Sequence, residues 1–301
     1  MSDPLAQVVG LLQPRASFSK IVQAAGPWRV SRSEAGRPFY CVVLDGSCCL
    51  TVCGGDPITL EKDDFVLIPA AYEFSMLSLE PMAADADDTV PVELAPGEFL
   101  LGHGNRQPEV RNLVGYCAFG STDAALLVSL LPQFIHIRGE RRLTALVQLV
   151  NEESRTHRPA RDVVLARLLE VLLIEALRST TGTGGSPGLL RGLGDERVAV
   201  ALRRIHERPT WPWTVAQLAK EAALSRSAFF DRFRRTVGMT PMDYLLDWRM
   251  ALAKDLLRRR EGGIVDVAER VGYGSASAFS VAFARHVGVT PTAYARGLSS
   301  A

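Results

Sequence analysis

The chain has 301 residues, 47% of them apolar and 22% charged, which gives length for two separate cores and excludes a disordered or fibrous protein. The formal net charge is +1, but residues 1–194 carry a net −5 and residues 195–301 a net +6, so only the second part has the charge balance of a polyanion binder. No apolar run reaches the roughly 18 residues of a membrane span, and Met1–Val9 lacks the basic start and apolar stretch of a secretory signal. A cytoplasmic location is therefore expected, where Cys41, Cys48, Cys49, Cys53 and Cys117 stay reduced and form no disulfide framework.

Residues 1–122 are expected to form a small β domain. Short apolar or alternating runs recur at Trp28–Val30, Phe39–Leu44, Cys48–Val52, Phe65–Ile68, Phe99–Leu101 and Leu113–Phe119, broken by turn residues. Asp45-Gly46 between two of these runs predicts a hairpin, because glycine accepts the positive φ of tight hairpin turns. In that hairpin Cys41 faces Leu50, and Cys41 and Cys48 share a face. Met82–Gly97, with three prolines and three aspartates from Pro81 on, reads as a long exposed loop.

Residues 123–180 change to a period of about 3.6 and predict three helices. The leucines of the last, Arg161–Leu177, are wide enough as a face to pack within the subunit or against a second copy. Residues 181–194 open with a Gly/Ser/Thr stretch and read as a flexible linker. The sign of the charge changes there, which places the domain boundary.

Residues 195–301 contain an internal repeat. At an offset of 50, Ser225, Ser227, Ala228, Phe229, Phe233, Arg235, Val237, Gly238, Thr240, Pro241 and Tyr244 recur as Ser275, Ser277, Ala278, Phe279, Phe283, Arg285, Val287, Gly288, Thr290, Pro291 and Tyr294. Each unit places a short helix (Val215–Ala222, Val265–Val271), a tight turn, a serine N-cap and a second helix with Phe at i and i+4 facing inward. These are two helix-turn-helix units joined by one long helix, Pro241–Arg260. A helix fits the major groove and its N-terminal end reaches base edges. Arg226, Arg232, Arg234 and Arg235 crowd the first such helix, and the serine caps Ser225 and Ser275 open the two.

The segments Leu218–Phe229, Gly238–Leu245, Trp248–Leu252 and Val267–Tyr273, with Gly288-Val-Thr-Pro291, resemble the AraC/XylS family of transcription regulators. The resemblance implies binding of double-stranded DNA by both units, an N-terminal domain that senses a small-molecule effector, and a homodimer. It places base-reading positions at Ser227, Phe230 and Asp231, and at Ser277, Ser280 and Val281. The family often has arginine where Asp231 and Val281 stand, so Arg285 is the clear cation of the second helix.

The N-terminal domain resembles the cupin-type sensors of such regulators through Phe39–Cys48 and Asp64–Pro69. Metal-binding cupins converge several His and a Glu on one ion, whereas the equivalent-looking places here hold Cys41 and Phe74, with only His103 and Glu73 nearby. No metal, cofactor or catalytic residue is expected. The effector pocket is expected around Cys41, Val43, Cys48, Phe65, Phe74 and His103.

The fold expected is α+β: a cupin-like β-barrel, a helical dimerisation segment and an all-α double helix-turn-helix domain. The function expected is sequence-specific transcription regulation without turnover. The alternatives are a thiol-based redox regulator, with Cys41 and Cys48 as the best-placed pair, and a cupin enzyme carrying a DNA-binding tail.

Overall fold

A computed structural model of the protein describes residues 3–33, 37–70, 73–82, 87–103, 106–121, 124–156, 158–180 and 187–297. The chain divides into two compact units, one of residues 13–120 and 132–180, the other of residues 1–12, 121–131 and 181–301. The second unit thus takes in the N-terminal segment and part of the stretch expected to be a dimerisation segment, and the linear boundaries read from the sequence differ accordingly. Among the described residues no helix is long and apolar enough to cross a membrane.

The first unit holds the strands β1 (Pro14–Ala25), β2 (Arg29–Arg32), β3 (Phe39–Asp45), β4 (Cys48–Val52), β5 (Ile58–Leu60), β6 (Phe65–Ile68), β7 (Phe74–Leu77), β8 (Val92–Ala95), β9 (Glu98–Gly102), β10 (Val110–Phe119) and β11 (Ile135–Ile137). They form a sheet in the order β11-β6-β3-β10-β1-β9-β8 and a second in the order β2-β7-β4-β5. Side chains alternate along each strand, so Val22, Ala24, Phe39, Cys41, Val43, Cys48, Leu50, Val66, Ile68, Phe74, Met76 and Val114 form one core between the sheets.

The expected Asp45-Gly46 hairpin does not form. β3 pairs with β10 and β6, whereas β4 pairs with β5 and β7. Gly46 (φ +76°) passes so close to the chain that a Cβ there would sit 2.0 Å from the carbonyl oxygen of Glu109, so this turn carries the chain from one sheet to the other. The loop expected at Met82–Gly97 contains the exposed edge strand β8, which pairs with β9; its residues 83–86 lie outside the described residues.

Helices α3 (Arg141–Arg155) and α4 (Arg161–Ser179) complete this unit and pack on β1. Leu165, Leu169, Leu172, Leu173, Ala176 and Leu177 of α4 are all buried there. The leucine face therefore serves the subunit's own core, and the apolar side chains α4 leaves exposed are Val163, Val164 and Val171.

The second unit holds α1 (Pro4–Leu12), α2 (Ala124–Ser129), α5 (Leu189–Gly194), α6 (Glu196–Glu207), α7 (Val215–Glu221), α8 (Arg226–Val237), α9 (Pro241–Arg259), α10 (Ile264–Arg270), α11 (Ala276–Val287) and α12 (Pro291–Gly297). Of the expected linker, residues 181–186 lie outside the described residues, and the remainder includes α5, whose Leu189 and Leu190 are buried. The sequence reading contained no counterpart of α1, which packs on α6 and α9. Its Gln7 Oε1 lies 2.7 Å from Nδ1 of the buried His206, whose Nε2 lies 2.7 Å from the Tyr244 hydroxyl. The His206 ring also stacks on Trp248 at 4.0 Å between centroids.

Candidate nucleic-acid interface and effector pocket

Each reading helix is set by local chemistry. Thr214 and Gln217 form a reciprocal capping box that starts α7. After it Ala223 turns the chain at φ +52°, and the Leu224 N–H donates to the Ala219 carbonyl. The Ser225 side chain then accepts from the Ala228 N–H to open α8, and Gly238, left-handed at φ +90°, closes it. The second unit repeats this: Gly272 turns at φ +83°, the Tyr273 N–H donates to the Ala268 carbonyl, Ser275 caps α11 through the Ala278 N–H, and Gly288 ends it. The turn equivalents are 49 apart and the caps 50 apart, so the second turn has one more residue. Phe229 and Phe233 of α8, and Phe279 and Phe283 of α11, are fully buried and fix which face of each helix meets solvent.

The outward faces differ. Arg226, Ser227, Asp231, Arg234 and Arg235 are exposed on α8, and Phe230 is half-buried. Val215, Arg226, Ser227, Phe230 and Asp231 together line one open recess. On α11, Ser277 and Arg285 are exposed, Ser280 is half-buried and Val281 is 70% exposed. The hydroxyls of Ser225 and Ser275 are occupied as caps.

Ion pairs sort the arginines. Arg232 does not face outward with its neighbours, since its Nε lies 2.7 Å from Asp195, the N-cap of α6. Partial burial would raise that carboxyl, but hydrogen bonds from Arg232 and from the Val198 and Arg197 N–H groups outweigh it and hold Asp195 below its ordinary value. Arg204, Arg258, Arg259 and Arg270 likewise sit on carboxylates. Among the described residues no ion pair occupies Arg226, Arg234, Arg235 or Arg285, so these four keep their charge for an outside anion.

The barrel contains a recess lined by Lys20, Val22, Trp28, Val30, Arg32, Phe39, Phe74, Met76, Pro91, Leu101, Asn112, Val114 and Tyr116. Of the side chains expected in the effector pocket, Phe74 lines it, while Cys41, Val43 and Cys48 lie in the core beneath. Phe65 is a correction: β6 sends Val66 and Ile68 into that core, so Phe65 points to the opposite face. His103 is a second correction, because it is exposed beyond the end of β9, beside Gly26. Lys20, Arg32 and Asn112 were missed, although each falls in step with the inward residues Val22, Val30 and Val114 at a period of two.

Burial pushes the thiols of Cys48 and Cys117 up to about 12 and that of Cys41 well above its ordinary value. They are poor thiolate nucleophiles. Cys53 is the exposed exception. Among the described residues no three His, Cys, Asp or Glu side chains group as metal ligands.

Comparison with known proteins agrees with this geometry. Residues 3–182 match the cupin family model and residues 218–297 a helix-turn-helix domain family model. The chain is 36% identical to an AraC-like transcription regulator of Streptomyces lividans over 97% of both proteins. It belongs to the AraC-like transcription regulators. A second AraC-like relative, from Streptomyces antibioticus, is 34% identical over 97% of this chain and 98% of its own. An HTH-type regulator of Haemophilus influenzae is 29% identical over 98% and 97%. The AraC-type assignment accounts for the duplicated units, and the cupin match for the two-sheet barrel.

Proposed function

We propose that this AraC-like regulator reads DNA through α8 and α11 and that a small molecule entering the barrel recess changes its occupancy of the promoter. The observation that carries the reading is the sorting of charge: among the described residues no ion pair occupies Arg226, Arg234, Arg235 or Arg285 on the outward faces of two serine-capped helices, while neighbouring arginines are spent on carboxylates. Arg234 and Arg235 contact phosphates, while Ser227, Phe230 and Asp231, and in the second unit Ser277, Ser280 and Val281, face base edges. Val281 suits a thymine methyl and Asp231 a cytosine amino group. The protein binds and does not turn over a substrate, in keeping with relatives named as regulators.

The protein works as a homodimer, supported by the exposed Val163, Val164 and Val171 of α4 and Leu149 of α3. Sedimentation of the wild type and of Val163→Lys/Val171→Lys checks this: a dimer that the double variant dissociates is expected, and a wild-type monomer at tens of micromolar contradicts it. The test of the whole reading is fluorescence anisotropy of the full chain on DNA across a salt series. Affinity should fall steeply as salt rises. Absence of salt-dependent binding would refute it.

A further inference from the structure

The connector helix α9 serves two cores. Its first half belongs to the first helix-turn-helix unit: Tyr244 meets Phe233 edge-on at 5.9 Å between ring centroids, and Trp248 stacks on His206. Its second half belongs to the second unit, where Met250, Ala253 and Leu257 pack with Val267, Phe279 and Phe283. Each unit is thus fixed to its own half of α9, and the bend between the halves is the freedom that remains. Adjacent major-groove segments lie about 34 Å apart, so a bend of about 10° at the midpoint, acting over half that span, moves α11 by about 3 Å, the length of a hydrogen bond.

Arg249 stands near that midpoint. Its Nε donates to the Pro209 carbonyl at 2.8 Å and its Nη2 to the Trp211 carbonyl at 2.9 Å. The loop it grips, residues 208–213 between α6 and α7, is stiff. Pro209 and Pro212 fix two φ angles, the Trp211 N–H and the Trp213 indole N–H both donate to the Arg208 carbonyl, and the Trp213 backbone N–H donates to the Trp211 carbonyl.

The same guanidinium lies 5.9 Å from the centre of the Tyr273 ring, in the turn that precedes α11 in the second unit. Loop and turn also meet directly. A Cβ on Gly272 would sit 2.7 Å from the Thr210 Cα and 2.8 Å from Arg249 Nη2, so only glycine admits this approach. A planar fork that bridges two carbonyls beside an aromatic ring is what arginine supplies and lysine does not.

We propose that Arg249 is a positioning residue: with the Thr210–Gly272 contact it forms a strut beside α9 that locks the two helix-turn-helix units in one pose, so that α8 and α11 meet DNA at a fixed separation and angle. This rests on the reading of α8 and α11 as the DNA-reading helices.

The first test needs no DNA. Spin labels on Lys220→Cys and Glu269→Cys, exposed positions of α7 and α10, report the distance between the units in the full-length protein by pulsed electron spin resonance. Cys49→Ser and Cys53→Ser remove the accessible thiols, since Cys41, Cys48 and Cys117 are buried. With Arg249 in place the distance distribution should be narrow, and DNA should leave it unchanged. Arg249→Met should broaden it. Arg249→Lys, which keeps the charge and loses the fork, should broaden it less and keeps the proposal testable if the Met variant does not fold. The second test is anisotropy on a duplex selected with the wild type and on the same duplex shortened to the half beneath α8. Arg249→Met should bind the full duplex about tenfold more weakly and the half duplex within about twofold of wild type, because only simultaneous engagement of both units depends on the strut. A broad distribution with Arg249 in place, distributions as narrow in both variants, or equal losses on the full and half duplexes would overturn the strut. Failure of the wild type to bind DNA would count against the DNA-reading assignment instead.

Discussion

The two helix-turn-helix units share their caps, their terminal glycines and their inward phenylalanines, yet their outward faces have diverged. α8 offers Arg226, Asp231, Arg234 and Arg235, whereas α11 offers Ser277, Ser280, Val281 and the single cation Arg285. What is shared is what folds the unit, and what differs is what would touch DNA. Under the proposed function this divides the labour: the first unit would supply both phosphate grip and base discrimination, and the second would mainly fix position.

The largest effects should come from the shared framework. Phe229 and Phe279 are both fully buried, and truncation of either to Ala should cost about 3–5 kcal/mol. Phe229→Ala should abolish selective DNA binding, while Phe279→Ala should weaken affinity and leave the preferred sequence recognisable. Calorimetric melting and a binding-site selection on each variant check both halves of that statement; equal loss of selectivity would end the distinction between units.

The next effect lies in the first unit alone. Burial lowers His206 to about 3, so the folded protein keeps it neutral while the unfolded chain protonates near 6.5. Its contribution is therefore fully present above pH 6.5 and is lost as pH falls from there toward 3. Between pH 7 and 5 the part of the molecule around His206, Tyr244 and α1 should lose about 2 kcal/mol. Among the described residues no histidine of α11 is buried as His206 is, so hydrogen exchange at pH 7 and 5 should show opening at Ile205 and Leu245 before Phe283. Uniform opening would contradict the pH assignment.

A smaller and more diffuse effect is expected from Arg234→Ala and Arg235→Ala. Each should weaken binding to all sequences about equally and lower the salt slope by about 1. A change in preferred sequence would move these arginines from phosphate to base contacts. Smallest is Arg232→Ala, which removes the partly exposed pair with Asp195 and should cost about 0.2–1 kcal/mol in stability; a loss of several kcal/mol on thermal melting would show that the pair orients α8.

The helical unit was legible because its signals are local. A serine cap, a glycine stop and two phenylalanines four apart are written within 14 residues, and the second helix of each unit begins and ends as they indicate. The barrel was less so. Asp45-Gly46 has the composition of a hairpin, but β3 pairs with β6 and with β10, the latter some 70 residues on, and pairing at that distance is decided by the whole sheet. α1 was invisible for the same reason, since the partner of Gln7 is His206, 199 residues away. The leucines of α4 showed that a face is buried without saying against what. Among pocket residues, Lys20 and Asn112 could have been found from the period of β1 and β10, but charged and amide groups on an inward face contradict the simple in-out pattern, as functional positions do.

The division of labour is tested most directly by selecting bound sequences from a random DNA pool with the full-length protein and reading base preference along the site. Strong preference is expected over the half beneath Ser225–Arg235, including a cytosine opposite Asp231 that Asp231→Ala removes, and weak preference, limited to thymine-rich positions, beneath Ser275–Arg285. Equal or reversed preference between the halves would contradict it.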